Sequence, residues 1–233
     1  MPHFRNLRST AFNLDYYQEH QAEGLDYLHF GDWQRKYGRW LVDVFGLRGQ
    51  PLLDVGCACG SLTAGLAASG VAAHGVDVSE AMIEMGRKRV WSDECRVSND
   101  ADAAHSLSLH VCDVVNLHLF GEGTFAFIHS HQSAEHWQPR LVPHALVELH
   151  RVARPGARFF CVLDTAELGQ RQGRDLAKED PTHVCIRPLD WWHQHLAAAG
   201  WIDCTEDYRH PLLEHGWSYL PDHDWDWWAV RKG

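Results

Sequence analysis

This chain of 233 residues predicts an α/β fold with a doubly wound, mostly parallel sheet. Three observations carry that prediction. From Pro51 onward, short apolar runs alternate with segments of helical periodicity, the order expected of βαβ units. The first run, Pro51-Leu52-Leu53-Asp54-Val55, passes directly into the small-residue turn Gly56-Cys57-Ala58-Cys59-Gly60 and then into a helical segment, Ser61 to Ser69. Finally, a chain of this length with 45% hydrophobic residues buries a full core.

The elements follow in order. Trp33, Tyr37, Trp40, Leu41 and Val44 recur at helical spacing and give an N-terminal helix one apolar face for packing on the sheet. Strands are expected near 51–55, 71–77, 107–111, 125–130 and 158–163, with helices near 61–69, 79–90 and 138–153. Ser79 is the expected N-cap of the second of these helices. Ser92 to Ser106 is polar and reads as a loop, and Pro155-Gly156 reads as a turn between helix and strand. Thr165 to Pro188, polar with interleaved charges, reads as a long excursion. Leu189 to Ala199 reads as a short helix closed by Gly200, with Trp201–Glu206 and Asp226–Arg231 as the last two strands.

The turn points to a ligand. Small residues are required where a ligand lies directly against backbone. A second apolar run, Val71 to Val76, ends in Asp77, and an acid at that strand end accepts both hydroxyls of a ribose. The pair reads as a nucleoside site. A dinucleotide fingerprint requires G-x-G-x-x-G, whereas the register from Gly56 reads G-C-A-C-G-S. Asp54, two residues before the first glycine, repels a pyrophosphate but suits a cationic amino-acid moiety. That combination of charges favours S-adenosylmethionine over a nicotinamide dinucleotide.

Five segments together resemble the class I S-adenosylmethionine-dependent methyltransferases. Asp54 to Gly60 is similar to their first motif, and Val76-Asp77-Val78-Ser79-Glu80-Ala81-Met82 to their second. His110-Val111-Cys112-Asp113-Val114 resembles the segment whose Asp meets the adenine amino group. Phe125 to His136 is similar to the fourth-strand motif with its closing Glu-His, and Leu149 to Gly156 to the helix end and turn before strand five. Two positions depart from the pattern: Ala58 stands for the usual middle glycine, and Ala126 where the fourth strand commonly carries an Asp. The resemblance implies a seven-stranded sheet closed by an antiparallel hairpin. It also implies a single domain: a helical cap over 1–48, a cofactor core over 49–164, and a substrate-side excursion with the last strands over 165–233. The cofactor-binding residues it implies are Asp54, Gly56, Cys57, Gly60, Asp77, Val78, Met82, Asp113, Val114 and Ser130.

Composition narrows the partners. A formal net charge of −10 argues against a nucleic-acid backbone. Met1 to Thr10 has no apolar stretch of signal length, and no apolar run reaches membrane-spanning length. Seven cysteines without C-x-x-C pairs fit a reducing cytoplasm. With the resemblance, this makes the expected partner a small-molecule acceptor, methylated at O, N or C, and neither nucleic acid nor membrane.

Catalytic candidates follow the strand ends. His131, just past the fourth strand, is the expected neighbour of the transferred methyl group. Glu135-His136 is expected to hold the start of the following helix. Asp180-Pro181-Thr182-His183-Val184, with Pro188 to Trp192 and Ala199 to Trp201, resembles a pattern in small-molecule methyltransferases. There the Thr-His lies at the active-site mouth, making His183 the base with an Asp to orient it. Eighteen histidines raise the question of a metal, with His129, His131 and His136 close in sequence and Asp180 and His183 able to converge on them, but no H-E-x-x-H appears and none is expected. Seven of the eleven tryptophans follow residue 190. About half pack a strand, leaving Trp217 and one of Trp191 or Trp192 as pocket candidates, while Asp222-His223-Asp224 reads as a solvated turn. The rival readings are a non-catalytic S-adenosylmethionine-binding module, a nicotinamide-dependent oxidoreductase, and a transfer RNA methyltransferase.

Overall fold

The computed structural model describes residues 11–21, 28, 30–90, 107–214 and 226–233, apart from a few side chains. Met1 to Thr10, all of the polar 92–106 segment, Trp217, Trp225 and Asp222 to Asp224 lie outside the described residues. The chain divides into two compact units, residues 1–113 and 114–233.

In the first unit, helices α1 (Leu14–Gln21) and α2 (Asp32–Phe45) precede strand β1 (Pro51–Val55), helix α3 (Ser61–Ala68), strand β2 (Ala72–Asp77), helix α4 (Glu80–Val90) and strand β3 (Leu107–Val111). The strands run parallel in the order β3-β2-β1, with Leu53 opposite His74 and Val76 opposite His110. β1 is buried from Leu52 to Val55 without alternation, as a strand covered on both faces must be. α2 buries Tyr37, Trp40, Leu41 and Phe45, the face set by helical spacing. It ends at Gly46 in the left-handed conformation, φ 63°. α2 and α3 pack backbone to backbone through Gly38 and Gly65.

The second unit begins with strand β4 (Phe125–His131), a 3₁₀ turn over Ala134–His136, helix α5 (Val142–Val152) and strand β5 (Ala153–Leu163). Helices α6 (Ala166–Gln172), α7 (Leu176–Glu179) and α8 (Leu189–Ala198) follow, then strand β6 (Trp201–Asp203), helix α9 (Thr205–Glu214) and strand β7 (Asp226–Lys232). Here the order is β4-β5-β7-β6, with β7 antiparallel to both neighbours. The seven strands make the mixed, mostly parallel α/β sheet. Trp228 is fully buried and meets the Phe159 ring edge-on at 4.6 Å. The Trp201 indole donates to the Leu146 carbonyl, tying β6 to α5.

Several expected boundaries need correction. The strand expected over Trp201–Glu206 stops at Asp203, because the Asp203 carboxylate accepts from the Thr205 amide (2.9 Å) and turns the chain into α9. The antiparallel β6–β7 pair is therefore separated by a helix and is not a tight hairpin. α5 begins at Val142, with Pro143 in its first turn, not at 138. Pro155-Gly156 falls within β5, where pairing with β4 shifts register. The 165–188 excursion contains two helices, the first capped by the Thr165 hydroxyl accepting from the Leu168 amide. Among the described residues, no helix is long and apolar enough to cross a membrane.

Candidate active site

In the first unit the site is built where β1 and β2 end. The backbone after β1 bends sharply, with Gly56 at φ 75°, Ala58 at 49° and Gly60 at 77°. Glycine adopts such angles at no steric cost; Ala58 does not. The Gly56 and Cys57 amides both donate to the Val76 carbonyl, so the turn hangs from the end of β2. Asp77 completes the fastening. Its carboxylate accepts from the Ala58 amide (2.9 Å) on one oxygen and the Ser79 amide (2.8 Å) on the other. A Cβ on Gly86 of α4 would lie 2.2 Å from the Cys59 carbonyl oxygen, so α4 presses directly on the turn.

Burial raises the Asp77 pKa to about 6, against the lowering effect of those two amides. At neutral pH it remains a carboxylate with lone pairs beyond the two in use. Asp54 is buried and accepts from the Thr63 hydroxyl at 2.6 Å. Phe12, Tyr17, Leu28, Ala58, Cys59 and Met82 form one apolar cluster, with Tyr16, Val78 and Met85 packed against it. The Ser79 hydroxyl donates to the Phe12 carbonyl at 2.6 Å, fixing the N-terminal segment over this end of β2. Burial, then Asp77, raises the Tyr17 pKa well above its ordinary value and keeps its hydroxyl protonated. Cys57 is buried, Val78 half-buried, and Asp113 half-buried beyond β3. These residues fit an adenosine with a charged tail: a tight cradle, one carboxylate at each strand end, and an apolar wall.

In the second unit, Val114 and Ser130 are both buried, the latter inside β4. His131 ends β4, its ring 6.3 Å from that of His129. Burial, with His129 beside it, lowers its pKa to about 3, so the imidazole is neutral throughout the physiological range.

His183 lies elsewhere in this unit, in a cluster of acids. Its Nδ1 is 3.6 Å from Asp164 and its Nε2 3.5 Å from Asp180. Asp180 also accepts from both the amide and the hydroxyl of Thr182, each at 2.7 Å. With its only proton given to Asp180, the Thr182 hydroxyl can act only as acceptor toward His136 Nδ1, 3.0 Å away. The Cys185 amide donates to the Glu135 carbonyl, joining the 180–185 segment to the 3₁₀ turn. The His136 and His183 rings meet edge to face at 4.8 Å. Glu135 is fully buried, and neither carboxylate oxygen has a hydrogen bond of ordinary geometry. Burial, then Asp164 and Asp180, raises its pKa well above the ordinary carboxylate range. Asp164 is raised as well, first by burial.

The sequence left Thr63 and the convergence of Glu135 on His183 unseen. Thr63 is a small polar residue inside a helical run, and 48 positions separate Glu135 from His183. Trp192 packs in the core, fully buried, and is not a pocket wall; half-buried Trp191 stands beside it.

Residues 53–161 match the family model of the methyltransferase domain. A demethylmenaquinone methyltransferase from Symbiobacterium thermophilum is 31% identical over 139 residues, 57% of this chain and 49% of that protein. The chain thus spans about half the length of this curated relative. Geranyl diphosphate C-methyltransferase from Streptomyces coelicolor A3(2) superposes with a TM-score of 0.60 at 13% identity, covering 85% of this chain and 78% of that one. Phosphoethanolamine N-methyltransferase 2 from Haemonchus contortus gives 0.59 at 18% identity, covering 87% and 53%. Residues 53–161, just under half of the chain, are thus similar to a methyltransferase domain, and the fold is that of the solved methyltransferases above.

Proposed function

We infer that the chain binds S-adenosylmethionine and transfers its methyl group to a small-molecule acceptor. One observation carries the reading: Asp77, at the end of β2, is locked by two amides against a glycine turn and faced by an apolar wall. When bound, the cofactor supplies an electrophilic methyl on a sulfonium. Asp54, Gly56, Cys57 and Gly60 hold the methionine part, where the Asp54 carboxylate balances its ammonium. Asp77 takes the ribose hydroxyls; Val78, Met82 and Asp113 surround the adenine, with Val114 and Ser130 assigned to the same cofactor.

Alignment supplies most of the acceleration for such a transfer. His131, neutral through burial, adds no charge to repel a sulfonium. The cluster around His183 receives the acceptor's heteroatom and its proton, since carboxylates flank the imidazole on both sides. The related enzymes named above act on a demethylmenaquinone, a prenyl diphosphate and a phosphoethanolamine, which supports an acceptor of small size with a polar head.

The test is calorimetric titration with S-adenosylmethionine, S-adenosylhomocysteine and NADPH, on the natural chain and on Asp77→Ala. Binding of the first two, lost in the variant, is the expected result. Binding of NADPH alone would overturn the reading.

A further inference from the structure

The Glu135 carboxylate is fully buried, and neither oxygen has a hydrogen bond of ordinary geometry; only the Glu135 and Asp164 amides approach it. Left in that state, a carboxylate is costly: an unsatisfied buried polar group loses its hydration without recompense, and a charged one loses more. Nearby stand Asp164 and Asp180, also buried. To be ionised together, three carboxylates in one buried cluster require a counter-charge. Within it, the structure supplies two imidazoles, one of them with a buried Nδ1 that makes no hydrogen bond, that of His183.

The donor geometry is equally specific. Ligand atoms from Glu135, His136 and His183 all lie within 4.8 Å of one another. His136 gives its Nδ1 proton to Thr182, whose hydroxyl is itself committed to Asp180. That tautomer leaves the lone pair on Nε2. On His183, Asp180 stands 3.5 Å from Nε2 and Asp164 3.6 Å from Nδ1, and Nδ1 is the buried nitrogen that makes no hydrogen bond. A hydroxyl accepting from the far nitrogen, as Thr182 does from His136, is the outer-shell arrangement of a metal-ligating histidine.

We propose that Glu135, His136 and His183 bind one divalent transition-metal cation, with Asp164 adjoining the site. Two imidazoles and one carboxylate suit Zn²⁺, Mn²⁺ or Fe²⁺ and not the all-oxygen preference of Mg²⁺ or Ca²⁺. Bonds of ~2.0–2.2 Å require the three donor atoms to draw closer than their present limit, by side-chain rotation of ~1 Å. Three protein ligands leave open coordination positions, which an acceptor's oxygen or nitrogen would fill. That use of the cation rests on the function inferred above; its binding does not. The proposal departs from the metal-free expectation from the sequence; no spacing motif marks the site because Glu135-His136 and His183 come from distant segments.

The test is titration of the chelator-treated chain with Co²⁺, read by visible absorption, and with Zn²⁺, read by calorimetry. One equivalent should bind, with the d–d bands of four- or five-coordinate Co²⁺ and no thiolate charge-transfer band. Glu135→Gln and His183→Ala should each weaken binding at least ~10-fold, with near-ultraviolet circular dichroism confirming that both variants fold. His210→Ala, removing an exposed histidine paired with Glu214, should change nothing. Asp77→Ala should keep the metal while losing S-adenosylmethionine, which separates failure of one assignment from failure of the other. Absence of one-equivalent binding would overturn the proposal. So would thiolate bands, or binding that survives both site variants.

Discussion

Gly38 of α2 and Gly65 of α3 touch through their backbones: a Cβ on Gly38 would lie 2.3 Å from the Gly65 carbonyl oxygen. Gly65 is pressed against α2 as well, since a Cβ there would lie 2.1 Å from the Gln34 carbonyl oxygen. Both clashes are with main chain, which cannot swing aside as a side chain can. Alanine would gain ~1 kcal/mol of helix propensity at Gly38, but overpacking a close contact costs ~1–3 kcal/mol or more. Gly38→Ala is therefore expected to destabilise, seen as a lower denaturation midpoint at unchanged slope. A raised midpoint would refute the contact.

Ala58 has the opposite problem. It sits at φ 49°, a conformation costing a residue with a Cβ ~1–2 kcal/mol. Glycine removes that cost but adds ~0.4–1 kcal/mol of unfolded-state freedom. Ala58→Gly should thus stabilise the unliganded chain by about 0.5–1 kcal/mol, visible as a higher melting temperature. No change would mean that the turn is less constrained than its dihedral angle implies.

These two sites illustrate what the sequence displayed and what it hid. The strand–turn–helix at 51–68 was legible because glycine, small residues and an apolar run are local signals. β6 was misread because Trp201-Ile202-Asp203 begins as a strand while Thr205 opens a helix with Pro211 inside it, and proline argues against helix on propensity alone. Asp54, Gly56, Gly60 and Asp77 were readable from spacing. The pairing of Glu135 with the 180–183 segment was not, since it is made by tertiary contacts such as Cys185 to Glu135.

Asp77 predicts how cofactor affinity varies with pH. Its folded pKa, about 6, exceeds the ordinary 3.8, so the folded chain holds this proton more tightly than the unfolded one. Asp77 therefore costs stability above pH 6, and the cost fades as pH falls toward 4. Binding runs the other way, because only the carboxylate accepts both ribose hydroxyls. Calorimetry from pH 8 to pH 5 should show a plateau above 6 and an affinity loss approaching ~10-fold per unit below it. A flat profile down to pH 5 would remove Asp77 from the ribose.

Thr63 reports on the other carboxylate. Its hydroxyl donates to Asp54 at 2.6 Å inside the core. Thr63→Val keeps the shape and deletes that donor, at an expected cost of ~1–3 kcal/mol. Weaker S-adenosylmethionine binding should accompany it, and Thr63→Ser should restore both. Full activity and stability in the valine variant would show that Asp54 does not depend on this bond.

The strand order β5-β7-β6 has a consequence for synthesis. β7 pairs with β5 along Arg158–Leu163 on one side and with the three-residue β6 on the other. During translation, β5 and β6 leave the ribosome before the strand that must lie between them. Until residue 232 emerges, Phe159, Phe160 and Cys161 present an unpaired, apolar strand edge, a ready template for a neighbouring nascent chain. Once β7 is inserted, the outermost strand of this unit is β6, too short to recruit another. A chaperone that covers β5 would therefore act in the interval between the emergence of β5 and that of β7.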